Sequence, residues 1–214
     1  WTWRNQSPQG QNLNSVHFLS DGRGIAAGEF GTLLATSDSG RSWSRIPSGT
    51  EATLTALHFP SSDTGYAAGF GGTILKTTDA GKHWMPCPTG TSANLRSLHF
   101  HDAKRGFAAG DGVVLKTGDA GATWEDVPGP EGLLTLAVHF VSPSVGFLAG
   151  DGSSLFKTVD GGTHWTPVFS LGYGVLESFD FVDSLLGFAA GSGGIWRTRD
   201  GGSSWDTLPI GEHG

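Results

Sequence analysis

The sequence predicts an all-β fold, a five-bladed β-propeller with four antiparallel strands per blade, and three observations carry that prediction. A turn motif ending in Trp recurs at Trp43, Trp84, Trp124, Trp165 and Trp205, at intervals of 41, 40, 41 and 40 residues. Four short apolar runs, separated by Gly, Asp, Ser or Pro, fill each interval. No long window carries a 3.6-residue apolar period, so helix should be nearly absent.

Taken in order, the first run (A) is LNSVHF, Leu13 to Phe18. It recurs at Leu54 to Phe59, Leu95 to Phe100, Thr135 to Phe140 and Leu176 to Phe181. The second (B) is Gly, an apolar residue, two small residues and Gly: Gly24 to Gly28, Gly65 to Gly69, Gly106 to Gly110, Gly146 to Gly150 and Gly187 to Gly191. The third (C, TLLAT) precedes the turn motif and the fourth (D, WSRIP) follows it. The motif itself reads SDSGRSW, TDAGKHW, GDAGATW, VDGGTHW and RDGGSSW.

An Asp two residues before Gly suits a tight C to D hairpin, because the carboxylate accepts backbone N–H groups, Gly takes positive φ and Trp packs on the turn. Asp38, Asp79, Asp119, Asp160 and Asp200 are therefore assigned a structural role with their tryptophans, not calcium binding or acid catalysis. The repeats fall at about 13–49, 54–90, 95–130, 135–170 and 176–210, within one domain over 1–214, since no blade can cover its own apolar faces. Residues 1–8 read as a sixth D-type strand, with Trp3 lying 40 residues before Trp43. This strand is expected to help close the last blade alongside Trp205 to Ile210; which of the two is outermost stays open.

Composition narrows the function. The chain has 214 residues, 37% of them hydrophobic and only 15% charged, and its 35 glycines and 8 tryptophans suit many tight turns between anchored strands. A net charge of -7 with no basic run argues against nucleic acid. No apolar stretch is long enough to span a bilayer as a helix. Cys87 is the single cysteine, so neither an internal disulfide nor a cysteine metal cluster is expected. A chain that opens on Trp1 would suit a mature protein after signal removal.

The motif around Asp160, Gly162, Thr163 and Trp165 resembles the Asp-box of bacterial neuraminidase repeats. The longer string from Leu57 to Trp84, LHF...GYAAGFGGTILKTTDAGKHW, resembles the repeat of the photosystem II assembly and stability factor family, and the resemblance covers essentially the whole chain. It implies a propeller exported to the thylakoid lumen, periplasm or exterior, acting by protein contact on a membrane-embedded complex, with a photosynthetic complex among the candidates. Five repeats depart from the larger number usual in that family.

Three series of residues are candidates for function. His17, His58, His99 and His139 lie in register on run A, with Asp180 in the fifth repeat. On an innermost strand they would form a ring at the channel, read as blade-to-blade hydrogen bonding in preference to a metal site. Lys76, Lys116, Lys157 and Arg197 lie in register on run C, interrupted by Ala35, and read as solvated heads on apolar stems. The D to A and B to C connections should share one face, where the repeats differ most: Glu29 with Phe30, Phe70, Asp111, Asp151, and the segment from Phe169 to Tyr173. These seven are the candidate binding residues, for a protein partner.

Enzyme readings find little support. A sialidase needs a Tyr and Glu pair with converging arginines, yet Tyr66 occupies a core position of run B and Tyr173 is the only other Tyr. The Gly-x-Gly strings lie between strands, not at a strand-to-helix junction. No cofactor or metal is expected. A lectin-like propeller binding glycan through a Trp face is the alternative to a protein-binding scaffold.

Overall fold

The structure is a computed structural model that describes residues 10–130, 133–151, 154–170 and 175–209. It contains five four-stranded antiparallel sheets, each formed by strands consecutive in the chain. Blade one holds β1 (Leu13–Phe18), β2 (Gly24–Gly28), β3 (Leu33–Thr36) and β4 (Ser44–Ile46). Blade two holds β5 (Leu54–His58), β6 (Gly65–Gly69), β7 (Ile74–Thr77) and β8 (Met85–Cys87). Blade three holds β9 (Leu95–Phe100), β10 (Gly106–Gly110), β11 (Val114–Thr117) and β12 (Glu125–Asp126). Blade four holds β13 (Thr135–Phe140), β14 (Gly146–Gly150), β15 (Ser154–Thr158) and β16 (Thr166–Ser170). Blade five holds β17 (Leu176–Phe181), β18 (Gly187–Gly191), β19 (Gly194–Thr198) and β20 (Asp206–Leu208). A 3-10 turn lies at Phe70–Gly72, between β6 and β7.

Blade five thus has its own fourth strand, β20, at the position the sequence assigns to run D. The expected closing strand, residues 1–8, lies outside the described residues.

The core lies between blades. Four clusters of buried apolar side chains correspond to the four junctions, each joining runs B and C of one blade to run A and the turn Trp of the next. The repeated element is an aromatic sandwich. Phe100, Phe140 and Phe181 of run A stack on Tyr66, Phe107 and Phe147 of the preceding blade, with ring centroids 3.8, 4.0 and 4.5 Å apart. The turn Trp of the same blade meets each of these Phe rings edge-on at 5.9 to 6.2 Å.

The first Gly of run B is required by this sandwich. At Gly65 an added Cβ would stand 2.3 Å from the Phe59 ring, and at Gly106 2.7 Å from the Phe100 ring. The ring lies flat on the strand only because no side chain is there.

Junctions are also tied by polar contacts, and these correct the reading of the run C cations. Lys76, Lys116 and Lys157 do not extend into solvent: each Nζ donates to a backbone carbonyl in the next blade's turn, Ala120, Gly161 and Gly201 respectively, at 2.7 to 2.8 Å. Each ammonium also lies 5.6 Å from the aromatic ring of run B beside it. The carbonyl is turned outward by the left-handed backbone of the motif, which alternation along one strand cannot show.

Candidate functional site

The turn motif is a closed hydrogen-bond circuit. In every repeat the last Thr of run C donates its Oγ1 to the Asp Oδ1 and receives the N–H of the motif Gly, as Thr117 does with Asp119 at 2.9 Å and Gly121 at 2.9 Å. The same Oδ1 accepts the N–H four residues on, at 2.9 Å from Ser42, His83, Thr123, His164 and Ser204. Oδ2 accepts from the side chain of that residue at 2.6 to 2.7 Å. These donors hold the carboxyls of Asp38, Asp119 and Asp200 at about 2, and those of Asp79 and Asp160 well below the usual range. The motif Gly has φ of 78 to 86° in all five repeats. Sequence reasoning overlooked the Thr, although it stands at one position in every repeat.

The histidines form a row along the inner strands, not a closed ring. His17 and His58 have ring centroids 6.3 Å apart, His58 and His99 4.9 Å, His99 and His139 4.5 Å, and His139 Nδ1 stands 3.5 Å from the Asp180 carboxylate. Burial first, and then the charge of neighbouring imidazoles, pushes His58 down to about 4 and His99 to about 2. Burial alone lowers His17, and lowers His139 against the pull of Asp180. Neutral imidazoles pack here as flat rings; His17 stacks on Phe59 at 5.1 Å.

The D to A and B to C connections do share one face. They are bound together at the same place in several repeats: Asn12 Nδ2 donates to Glu29 Oε1 at 3.0 Å, Asn94 Nδ2 to Asp111 Oδ2 at 3.0 Å, and the Leu134 N–H to Asp151 Oδ1 at 2.7 Å. Asp111 also accepts from Arg96 Nε at 2.5 Å, and the Arg96 guanidinium lies 5.8 Å from the centre of the Phe70 ring. Glu29, Asp111 and Asp151 are thus engaged in holding the connections, and Phe70, Arg96 and Asp111 form one cluster across blades two and three. Arg96 was not foreseen, because only the packing of neighbouring blades brings it to Phe70.

Phe169 differs from the sequence reading. It lies in β16, opposite Leu155, and packs on Trp196 and Trp205 at 6.0 and 5.9 Å, so it belongs to the junction of blades four and five. Tyr173 lies outside the described residues.

Phe30 stands apart from the other candidates. Its φ is 51°, in the left-handed region, where the corresponding residues Gly71, Gly112 and Gly193 have φ of 65, 73 and 105°. Its side chain is 63% exposed. An aromatic residue held in a glycine conformation and largely turned to solvent costs roughly 1–2 kcal/mol with little burial to offset it. The position could have been found in the sequence, where Gly follows Phe70, Asp111, Asp151 and Ser192 but Phe follows Glu29.

The chemistry available is limited. Every carboxyl among the described residues whose proton affinity is clearly displaced is displaced downward, the opposite of what a general acid needs. A lectin would need an open Trp face, yet each described Trp is buried or half-buried.

Residues 38–133 match the sequence model of the family described as photosynthesis system II assembly factor YCF48. No curated protein matches the chain. Among solved structures the chain is similar to YCF48 bound to D1 peptide, with a TM-score of 0.73 and 19% identity over 92% of this chain and 66% of that one. It is similar also to YCF48 from Cyanidioschyzon merolae, with a TM-score of 0.75 and 18% identity over 97% of this chain and 75% of that one. An ancestral GH74 enzyme aligns with a TM-score of 0.76 and 14% identity over 96% of this chain and 32% of the enzyme. At these identities the likeness shows the fold, and the chain spans 66% of the YCF48 chain that carries the D1 peptide.

Proposed function

We propose that this photosystem II assembly factor-like Asp-box propeller is a non-catalytic protein-binding module, acting outside the cytoplasm as an assembly or stability factor, or a peripheral subunit, of a membrane-embedded complex. The observation that carries the reading is the match of residues 38–133 to the YCF48 family, with a fold shared by a YCF48 described as bound to D1 peptide. The face that carries the exposed Phe30 and the half-buried Phe70–Arg96–Asp111 cluster supports it, since aromatic and guanidinium groups are what protein interfaces enrich. Phe30 adds strain that the fold does not need.

The test is affinity capture from native membranes with mass spectrometry, comparing the wild-type chain with Phe30→Gly. Reproducible enrichment of one membrane complex by the wild type, reduced by the variant, is expected. Glycan-array binding with no membrane complex captured would overturn the reading.

A further inference from the structure

The junction between blades one and two lacks a side chain that the following three junctions have. At those junctions the run C lysine, Lys76, Lys116 or Lys157, pairs in register with the run B aromatic residue and donates to the carbonyl of Ala120, Gly161 or Gly201 in the next blade's turn. In blade one the same register sets Ala35 opposite Ile25, and an alanine cannot reach that turn. The acceptor is nevertheless in place. Ala80 has a φ of 62°, the value at Ala120. Its N–H bonds to the Asp63 carbonyl at 2.8 Å, as that of Ala120 bonds to Lys104 at 2.9 Å, so the two turns present their own carbonyls alike.

Where the lysine would lie there is a cleft of about 270 Å³, in which Ile25, Ala35 and Ile46 meet Ala80 and Gly81. Ile25, Ala80 and Gly81 are buried, whereas Ser42, Ser44 and Lys82 at the rim are exposed, so the cleft opens to solvent. Apolar walls that lead to a backbone carbonyl suit an alkyl stem with an N–H donor at its tip. Of the two cations at the rim, Arg23 is paired with Asp21 at 2.7 Å and Lys82 is in solvent. A guanidinium in this place is compatible with an ammonium on the carbonyl, because Arg105 and Lys116 line one cleft beside Gly161. The net charge of -7 favours the approach of a cationic group.

We propose that this cleft receives the lysine side chain of a protein partner, in the place that Lys76, Lys116 and Lys157 fill from within the chain at the other junctions. The stem packs on Ile25 and Ala35, and the ammonium donates to the Ala80 carbonyl. Ile25 offers no aromatic face, so the hydrogen bond carries the recognition. The proposal rests on the protein-binding reading above but uses a different surface, at the opposite end of β3 from Phe30.

Amide NMR of the whole chain, titrated with N-acetyl-lysine N-methylamide into the millimolar range, tests the site without any partner. Saturable shifts centred on the Gly81 and Lys82 amides are expected. The Nε-trimethyl form of the probe keeps the charge without an N–H and should bind about tenfold more weakly, the loss of one charge-assisted hydrogen bond. Ala35→Lys and Ala35→Leu, which fill the cleft with and without a donor, should both abolish the shifts. In capture from native membranes, Ala35→Lys should lose the complex that the wild type enriches. Shifts that do not saturate, that are equal for the two probes, or that persist in both variants would overturn the site. Probe binding with capture unchanged in Ala35→Lys would overturn the partner's lysine as its occupant. Absence of probe binding beside normal capture would sink this site alone, whereas probe binding with no complex captured by the wild type would sink the protein-binding reading and the partner with it.

Discussion

Replacing Phe30 with Gly should raise stability while weakening partner capture, and the two effects separate a binding residue from a structural one. Phe30 has φ 51° and is 63% exposed, so truncation removes left-handed strain and exposes little that was buried. The strain relieved is roughly 1–2 kcal/mol for an L residue in this region. Against it stands the greater freedom of Gly in the unfolded chain, roughly 0.5–1 kcal/mol. The net gain is about 0.5–1 kcal/mol, which for a domain of this size raises Tm by about 1–4 °C. The turn itself should survive, because its bonds are main-chain: Gly31 N–H to Ala52 O at 2.9 Å and Thr32 N–H to Glu29 O at 3.0 Å. Thermal melts followed by circular dichroism, run beside the membrane capture, read both effects. A lower Tm would mean that Phe30 is held for packing, and would refute the inference from strain to binding.

Lys116→Met keeps the apolar stem but removes the bond to Gly161 and the contact with Phe107; a charge-assisted bond of this kind is worth about 1.5–3 kcal/mol, so denaturant melts should show a loss of about 1–2 kcal/mol. The matching Arg197→Met should be neutral or stabilising, because Arg197 Nε has no partner to lose. Ala35→Lys should stabilise by about 1 kcal/mol in the same melts, since it enters a cleft of about 270 Å³ lined by Ala35, Ala80 and Gly81 and supplies the missing tie to the Ala80 carbonyl. Acid should destabilise the protein in two stages, measured as Tm against pH. His58 and His99 titrate lower when folded than unfolded, so the unfolded chain binds more protons and stability falls as pH drops from about 6.5 toward 4. His99→Phe should flatten that first slope. The depressed turn carboxyls stabilise above the usual Asp range, and this contribution is lost as pH falls from about 4 through about 2.

The period of the repeat, the four strands per blade and the hairpin that joins C to D were open to reading in the sequence because they are local. Each depends on residues within one repeat: Asp119 binds Thr117 and Thr123, and Gly106 lies beneath Phe100 of its own blade. The left-handed place of Phe30 is of the same kind, since the glycines of the other repeats mark it. What lay beyond the sequence is everything that joins repeats about 40 residues apart. Lys116 reads as a solvated cation until the next blade sets the Gly161 carbonyl against it, and Phe169 reads as a loop residue until Trp196 and Trp205 cover it. Arg96 shows no purpose until Phe70 and Asp111 meet it from two blades. The repeat by itself therefore determined the blade, through local hydrogen bonding and alternation. Only the tertiary structure decided the junctions, because a side chain's partner across a junction depends on how one sheet lies against the next.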